Sequence, residues 1–386
     1  MSKIIPLSEP HLGGNEWKYI KDCLDTGWVS SAGKYVDLFE EKIAEYTGAK
    51  YAIACVNGTS AIQLSLRLVG VEPADEVIVP TLTFIASVNA IAYNNASPIF
   101  MDADQFYNID YRKTMQFIQE ETVFKGGSTY NKKTSKRIAA IVPVHVWGNA
   151  VWFDELIPLC EERNIAVVED ASESLGTYYA SGMYRGRHTG TIGKLGCLSF
   201  NGNKIITTGG GGMILTDDPA LAEKAKYLST QAKDDPVRYI HNEIGFNFRL
   251  TNIQAAMGLA QLEQLPSILL NKIKIHEYYC KAIKDLDGLC MAEVPSYADN
   301  NLWLNVLQID KAIFGKDKEV LMHHLKENGI QTRPVWAVNH KQKPFSRHQY
   351  FCIRKADQLA EQSLCLPSSG SMSMESAQKV VAGICG

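Results

Sequence analysis

Seven short runs rich in valine, isoleucine and leucine constrain the fold of this chain more than any other feature. They are Tyr51–Val56, Glu76–Pro80, Pro98–Asp102, Ile138–Val146, Ile165–Glu169, Leu195–Phe200 and Gly212–Thr216. A strand that is apolar on both faces needs cover on both faces. Helical stretches at Ser60–Val69, Phe84–Asn94 and Phe153–Arg163 lie between the runs and supply that cover. The alternation predicts an α/β domain around a mostly parallel, seven-stranded sheet.

Beyond the last run, Thr251 and Gln254 form a capping-box pattern that opens a long amphipathic helix, with Pro266 expected just past its end. The remainder, with a strand at Trp303–Ile309 and helices at Asp317–Asn328 and Ala356–Gln362, reads as a smaller α+β domain. A length of 386 residues suits this division. We place a large domain at residues 1–255, its N-terminal segment reaching the active-site mouth, and a small one at 256–386. Residues 120–137 are polar and read as an exposed insertion.

Apolar types make up 46% and charged types 21%, which excludes disorder as the main architecture. A net charge of -3 gives no whole-molecule footprint for nucleic acid, yet leaves room for a local anion site. The N-terminus lacks the apolar core of a signal peptide. The most apolar stretch, residues 138–153, is interrupted by Pro143, His145, Gly148 and Asn149, so no membrane span is expected. Nine scattered cysteines without a C-x-x-C pair read as reduced thiols, and a cytoplasmic enzyme without a metal is expected.

Four segments carry candidate chemistry. Thr207–Gly212 is glycine-rich but runs into a strand, so it is neither a P-loop nor a dinucleotide fingerprint. Asn57-Gly58-Thr59-Ser60 follows a strand and opens a helix, where free N–H groups and hydroxyls suit an anion. Taken alone, it reads as N-capping by Thr59 or Ser60. Asp170 ends an apolar strand, where ligands of open α/β sheets bind. Lys204 follows another strand in Ser199-Phe200-Asn201-Gly202-Asn203-Lys204, a setting in which a desolvated lysine becomes a nucleophile or base. Together, an anion-binding helix start, a strand-end Asp and a strand-end Lys match the needs of pyridoxal phosphate. That cofactor requires a phosphate cup, a carboxylate for its ring nitrogen and a Schiff-base lysine.

The order of motifs extends this match. They are G-W-V-S-S-A-G near Gly27, N-G-T-S-A at Asn57, P-T-L-T-F-I-A-S at Pro80 and P-V-H-V-W-G at Pro143. V-E-D-A-S-E-S-L-G at Val168, G-C-L-S-F-N-G-N-K at Gly196 and G-F-N-F-R-L-T-N-I-Q-A-A at Gly245 follow. From about Ile5 to the last helix, the chain resembles the DegT/DnrJ/StrS-type sugar-nucleotide aminotransferases, which are pyridoxal phosphate enzymes of fold type I.

The resemblance implies Lys204 as the Schiff-base lysine and proton carrier, and Asp170 as the partner of the pyridine nitrogen. It places Glu173 near the ring hydroxyl and Gly58, Thr59 and Ser199 on the phosphate. Ser60 and Asn201 join this cofactor set, and Phe84 stacks on the ring. Asn247 and Arg249 would reach the neighbouring subunit's site, on the cofactor phosphate and the substrate anion, which makes a homodimer with shared sites the functional unit. Ser31, Arg333 and Trp336 are substrate candidates, and His145 is a structural residue behind the site.

The implied reaction takes an amino group from L-glutamate to a nucleotide-linked keto-sugar. The start Gly13–Glu16, the G-W-V-S-S motif and Arg333-Pro334-Val335-Trp336 resemble the subgroup acting on 4-keto-6-deoxy sugars for bacterial surface glycans, such as those carrying legionaminic acid, bacillosamine or perosamine. Alternatives are a 3-keto-sugar aminotransferase, a sugar dehydratase of the same fold, and a non-catalytic sensor or scaffold. The dehydratase has histidine in place of the lysine, so Lys204 argues against it. Intact Asp170 and Lys204 argue against the sensor.

Overall fold

A computed structural model describes residues 4–235 and 237–386. All seven runs form strands: β1 (Tyr51–Cys55), β2 (Glu76–Pro80), β3 (Ser97–Met101), β4 (Ile138–Ile141), β5 (Ala166–Asp170), β6 (Leu195–Ser199) and β7 (Gly212–Thr216). They lie side by side in the order β1-β7-β6-β5-β4-β2-β3. Only β7 runs against its neighbours. The connection over residues 200–211 forms no helix to carry a parallel crossover and turns the chain straight back. This reversal projects Lys204 beyond the strand ends.

One face of the sheet buries Val77, Val79, Val168 and Ile214 against Ile62 and Leu66 of α3 (Gly58–Leu68), which follows α1 (Glu16–Thr26) and α2 (Lys34–Thr47), and against Val88 and Ile91 of α4 (Ala86–Tyr93). The other face buries Leu198, Met213 and Leu215 against Phe39 and Ile43 in the helix Lys34–Thr47. Each such side chain stabilises the fold by about 1.5–3 kcal/mol. Both faces are covered, as the continuous apolar runs require.

Four details differ from the sequence reading. The sheet has an eighth member, Tyr350–Phe351, parallel to β3. Two half-exposed residues leave no strand pattern, but they cover an edge that would otherwise present unpaired backbone. The run at 138–146 stops as a strand at Ile141. Pro143 and the turn Val146–Gly148, with Trp147 at φ 54°, bend it over the strand ends.

The third difference is the long helix, which passes through Pro266 and spans Asn252–Ile283. Burial of Ile268, Ile275, Tyr279 and Ile283 beyond the proline offsets the lost hydrogen bond. The fourth is the segment 120–137, which holds a hairpin, Thr122–Lys125 with Ser128–Asn131. Buried Asn131 pins it, donating to Glu76 at 2.7 Å and Gln349 at 2.9 Å.

The C-terminal part forms a four-stranded antiparallel sheet, in the order Leu289–Met291, Asn305–Ile309, Ser363–Leu366, Arg333–Pro334. Its core joins Leu307, Leu325, Leu364 and Ile384 to the second half of the long helix. Near the N-terminus, Ile5 pairs with Ile330. Among the described residues, no helix is long and apolar enough to cross a membrane.

Candidate active site

A cleft of about 1400 Å³ opens at the carboxyl ends of β5 and β6, walled by the C-terminal sheet and the N-terminal segment. Ligands of open α/β sheets collect at such strand ends. Asp170 ends β5 and is 4% exposed. Its Oδ2 accepts from the Ser87 hydroxyl at 2.6 Å, and its Oδ1 from the Ser172 N–H at 3.1 Å. The carboxylate is thereby fixed on the cleft floor.

Ser199 ends β6, and the start of α3 closes onto it. A Cβ on Gly58 would stand 2.8 Å from the Ser199 Cβ, so a side chain there would push the helix start away. The cap of α3 is Asn57, whose side chain accepts from Ser60 N–H at 2.8 Å, rather than Thr59 or Ser60. Capping by Asn57 leaves the Thr59 hydroxyl free in a first turn whose dipole favours an anion.

Lys204 sits on the reversing turn. The base of this turn is pinned: the Phe200 N–H donates to Gly211 O at 2.8 Å, and Phe200 O accepts from Thr208 N–H at 3.0 Å. Lys204 Nζ lies 3.2 Å from Glu173 Oε1 and 4.1 Å from the centre of the Trp303 ring. Glu173 also accepts from the Trp147 N–H at 2.8 Å. Burial pushes the Glu173 carboxyl above its ordinary range, while the Lys204 ammonium pulls the other way.

Ten candidates from the sequence share this cleft: Gly58, Thr59, Phe84, Asp170, Glu173, Ser199, Asn201, Lys204, Arg333 and Trp336. Phe84 is 53% exposed, with its ring 6.5 Å from Trp336. Four others lie outside the lining. Ser60 is buried in the first turn of α3, its N–H on Asn57. Ser31 lies in the loop before Lys34–Thr47. Asn247 pairs with Thr230, and Arg249 pairs with Cys55 at the end of β1. The Arg249 Nε is buried without a hydrogen-bond partner.

His145 is fully buried behind the floor, its Nε2 2.8 Å from Glu169 and its Nδ1 accepting from the Val151 N–H. Sequence reasoning missed Ser87, Trp147 and Trp303. Ser87 closes one of the quoted motifs and Trp147 lies inside another, so they were within reach. Trp303 lies just before its strand, and nothing in the local pattern marks it.

The donor set suits pyridoxal phosphate. An amine, a fixed carboxylate and an uncrowded helix start face one space. The profile of the DegT/DnrJ/EryC1/StrS aminotransferase family matches residues 10–385. The chain belongs to this family. It is 36% identical over 388 residues to a Bacillus subtilis protein named putative pyridoxal phosphate-dependent aminotransferase EpsN, covering 99% of this chain and 95% of that one. It is 35% identical over 382 residues to the GDP-perosamine synthase of Caulobacter vibrioides, covering 98% and 97%. A crystal structure of DesI in the presence of its TDP-sugar product superposes with a TM-score of 0.88 at 26% identity, over 100% of this chain and 93% of that one. As a member of this aminotransferase family, the chain has the α/β fold expected from its strand pattern.

Proposed function

We propose that this enzyme transfers the amino group of L-glutamate to a nucleotide-linked 4-keto-6-deoxy sugar, for bacterial surface glycans. It is an aminotransferase that uses pyridoxal phosphate. The observation that carries the reading is the meeting of Lys204, Asp170 and the α3 start in one cleft. When bound, the cofactor supplies an aldehyde for the amino group and a ring that accepts an electron pair.

The side chains do the rest. Asp170, held by Ser87 and Ser172, keeps the ring nitrogen protonated. Gly58, Thr59 and Ser199 receive the phosphate. Lys204 takes a proton from one carbon and returns it to another, so it must act as base and then acid. Glu173 and the Trp303 ring hold its ammonium over the floor between these steps. Phe84 stacks on the cofactor ring, and Trp336 and Arg333 line the outer cleft, where a diphosphate and an aromatic base would lie.

The functional unit in this reading is a homodimer in the cytoplasm, with Asn247 and Arg249 serving the neighbour's cleft. Relatives named GDP-perosamine synthase support a GDP-linked sugar, and the DesI complex keeps a dTDP-linked one in play. The test is incubation with L-glutamate, pyridoxal phosphate and a panel of 3-keto and 4-keto sugars on GDP, dTDP and UDP. Products are identified by NMR. A 4-amino product is expected, and amination of 3-keto sugars alone would overturn the reading.

A further inference from the structure

We propose that Lys272 is a positioning residue that holds the Trp303 ring against the Lys204 ammonium group. The proposal rests on Lys204 being the cofactor-linked lysine. Lys272 lies mid-way along the long helix and is 3% exposed. Its Nζ donates to the Trp303 carbonyl at 2.9 Å and to the Ser368 carbonyl at 2.6 Å. Both carbonyls lie outside the strands they adjoin, Asn305–Ile309 and Ser363–Leu366, so no sheet partner takes them.

A lysine without a carboxylate partner is an expensive way to fill a core. Burial alone pushes this ammonium down to about 7. Two acceptors also suit the neutral amine, whose two N–H bonds would satisfy both. A methionine would fill the space and leave two buried carbonyls unpaired, at a cost that an apolar contact does not return.

What those carbonyls belong to gives the lysine its role. Trp303 is held at three points. Its N–H donates to Asn301 Oδ1 at 2.9 Å, its indole N–H to Asn203 O at 2.7 Å, and its carbonyl accepts from Lys272. The ring so fixed lies 4.1 Å from Lys204 Nζ, and its face stabilises a cation there. Ser368 provides a second route to the same turn. Its N–H donates to Leu7 O at 2.8 Å, and the next residue, Ser8, donates to Asn203 O at 3.1 Å. Lys272 thus grips both supports of the Lys204 turn from behind.

The experiment is a pH titration of the absorbance of lysine-bound pyridoxal phosphate in the holoenzyme. Lys272→Met is expected to retain the cofactor and lower the midpoint pH by about 0.5–1, the scale of a lost cation–aromatic contact. Trp303→Leu should give the same displacement, and the double variant no more than either. Lys272→Gln keeps two donors on a shorter stem and should fall between wild type and Lys272→Met. It also serves as the reporter if the methionine variant does not fold.

A purely structural lysine would lower the melting temperature and leave the midpoint in place. That outcome in either folded variant overturns the proposal. If wild type itself shows no lysine-bound band, or Lys204→Ala retains one, the assignment of Lys204 fails instead.

Discussion

The cleft floor and the stretch from Val237 to Arg249 are built in opposite ways. On the floor, both carboxylates have partners from the same chain, although the buried Trp147 Nε1 has none. Asp170 is held by Ser87 and Ser172, Glu173 by Trp147 and Lys204. Along the other stretch, Val237, Tyr239 and Ile244 are 82%, 72% and 79% exposed. Asn247 is exposed as well, and the buried Arg249 Nε has no partner. Clustered apolar exposure of this kind marks a surface that meets another protein. One subunit brings the reacting groups together, whereas the phosphate and substrate contacts proposed for Asn247 and Arg249 would draw on a second copy.

The largest effect tests the floor. Lys204→Ala should abolish the lysine-bound absorbance and lower turnover by at least about 10²–10⁴-fold, the share of one acid–base group. An unchanged band would remove Lys204 from the centre of the site. The next effect tests the other region. Asn247→Ala should also be inactive, but mixing it with Lys204→Ala under subunit exchange should restore about a quarter of wild-type sites, because half the dimers are mixed and each has one intact site. Activity that stays at zero in a verified mixed dimer would mean that Asn247 serves its own subunit.

How much of this was legible follows the same division. The floor could be read because its parts are local in sequence. Asp170 and Ser199 are fixed as the last residues of their strands, and a short reversal fixes Lys204. The cap of α3 was misread by two or three residues because Asn57, Thr59 and Ser60 are all capping types. The true cap was settled by packing at Gly58. Pro266 was read as a stop because propensity ends a helix there, while burial of Ile268 and Tyr279 carries it on. Trp303 was legible only as the start of a strand, not as a residue of the site. Its position over Lys204 comes from Lys272, Asn301 and Asn203, three residues scattered along the sequence.

A smaller effect sharpens the description of the floor. Ser87→Ala removes one of the two hydrogen bonds holding Asp170. A hydrogen bond to a charged group contributes about 1.5–3 kcal/mol, so pyridoxal phosphate should bind roughly ten- to a hundredfold more weakly. Ser87→Thr, which keeps the hydroxyl, should restore most of the affinity. Fluorescence titration of the apoenzyme measures this directly. Equal affinity in all three proteins would mean that Ser172 alone positions the carboxylate.

The smallest effect concerns what lies beneath the floor. His188 is fully buried, and its Nε2 accepts from the Gly176 N–H at 2.8 Å. Its Nδ1 must then carry the proton and donate to the Thr189 carbonyl. Only the neutral ring satisfies both contacts, and burial pushes the imidazole down to about 4. In the unfolded chain it titrates near 6.5, so between these values the unfolded state binds the extra proton. The stabilisation is complete above pH 6.5 and is lost as pH falls through 4, amounting to about 3 kcal/mol. Urea unfolding of the apoprotein at pH 7, 6, 5 and 4 measures it. His188→Gln, which cannot titrate, should lose less stability over this range, while the carboxylates common to both proteins cancel in the difference. Limited proteolysis at Val237–Ile244 should show no such pH dependence, since that stretch does not rest on His188. Parallel stability slopes for the two proteins would mean that the floor tolerates a charged imidazole. The contrast between a tightly satisfied floor and an open flank would then be weaker than the hydrogen bonds imply.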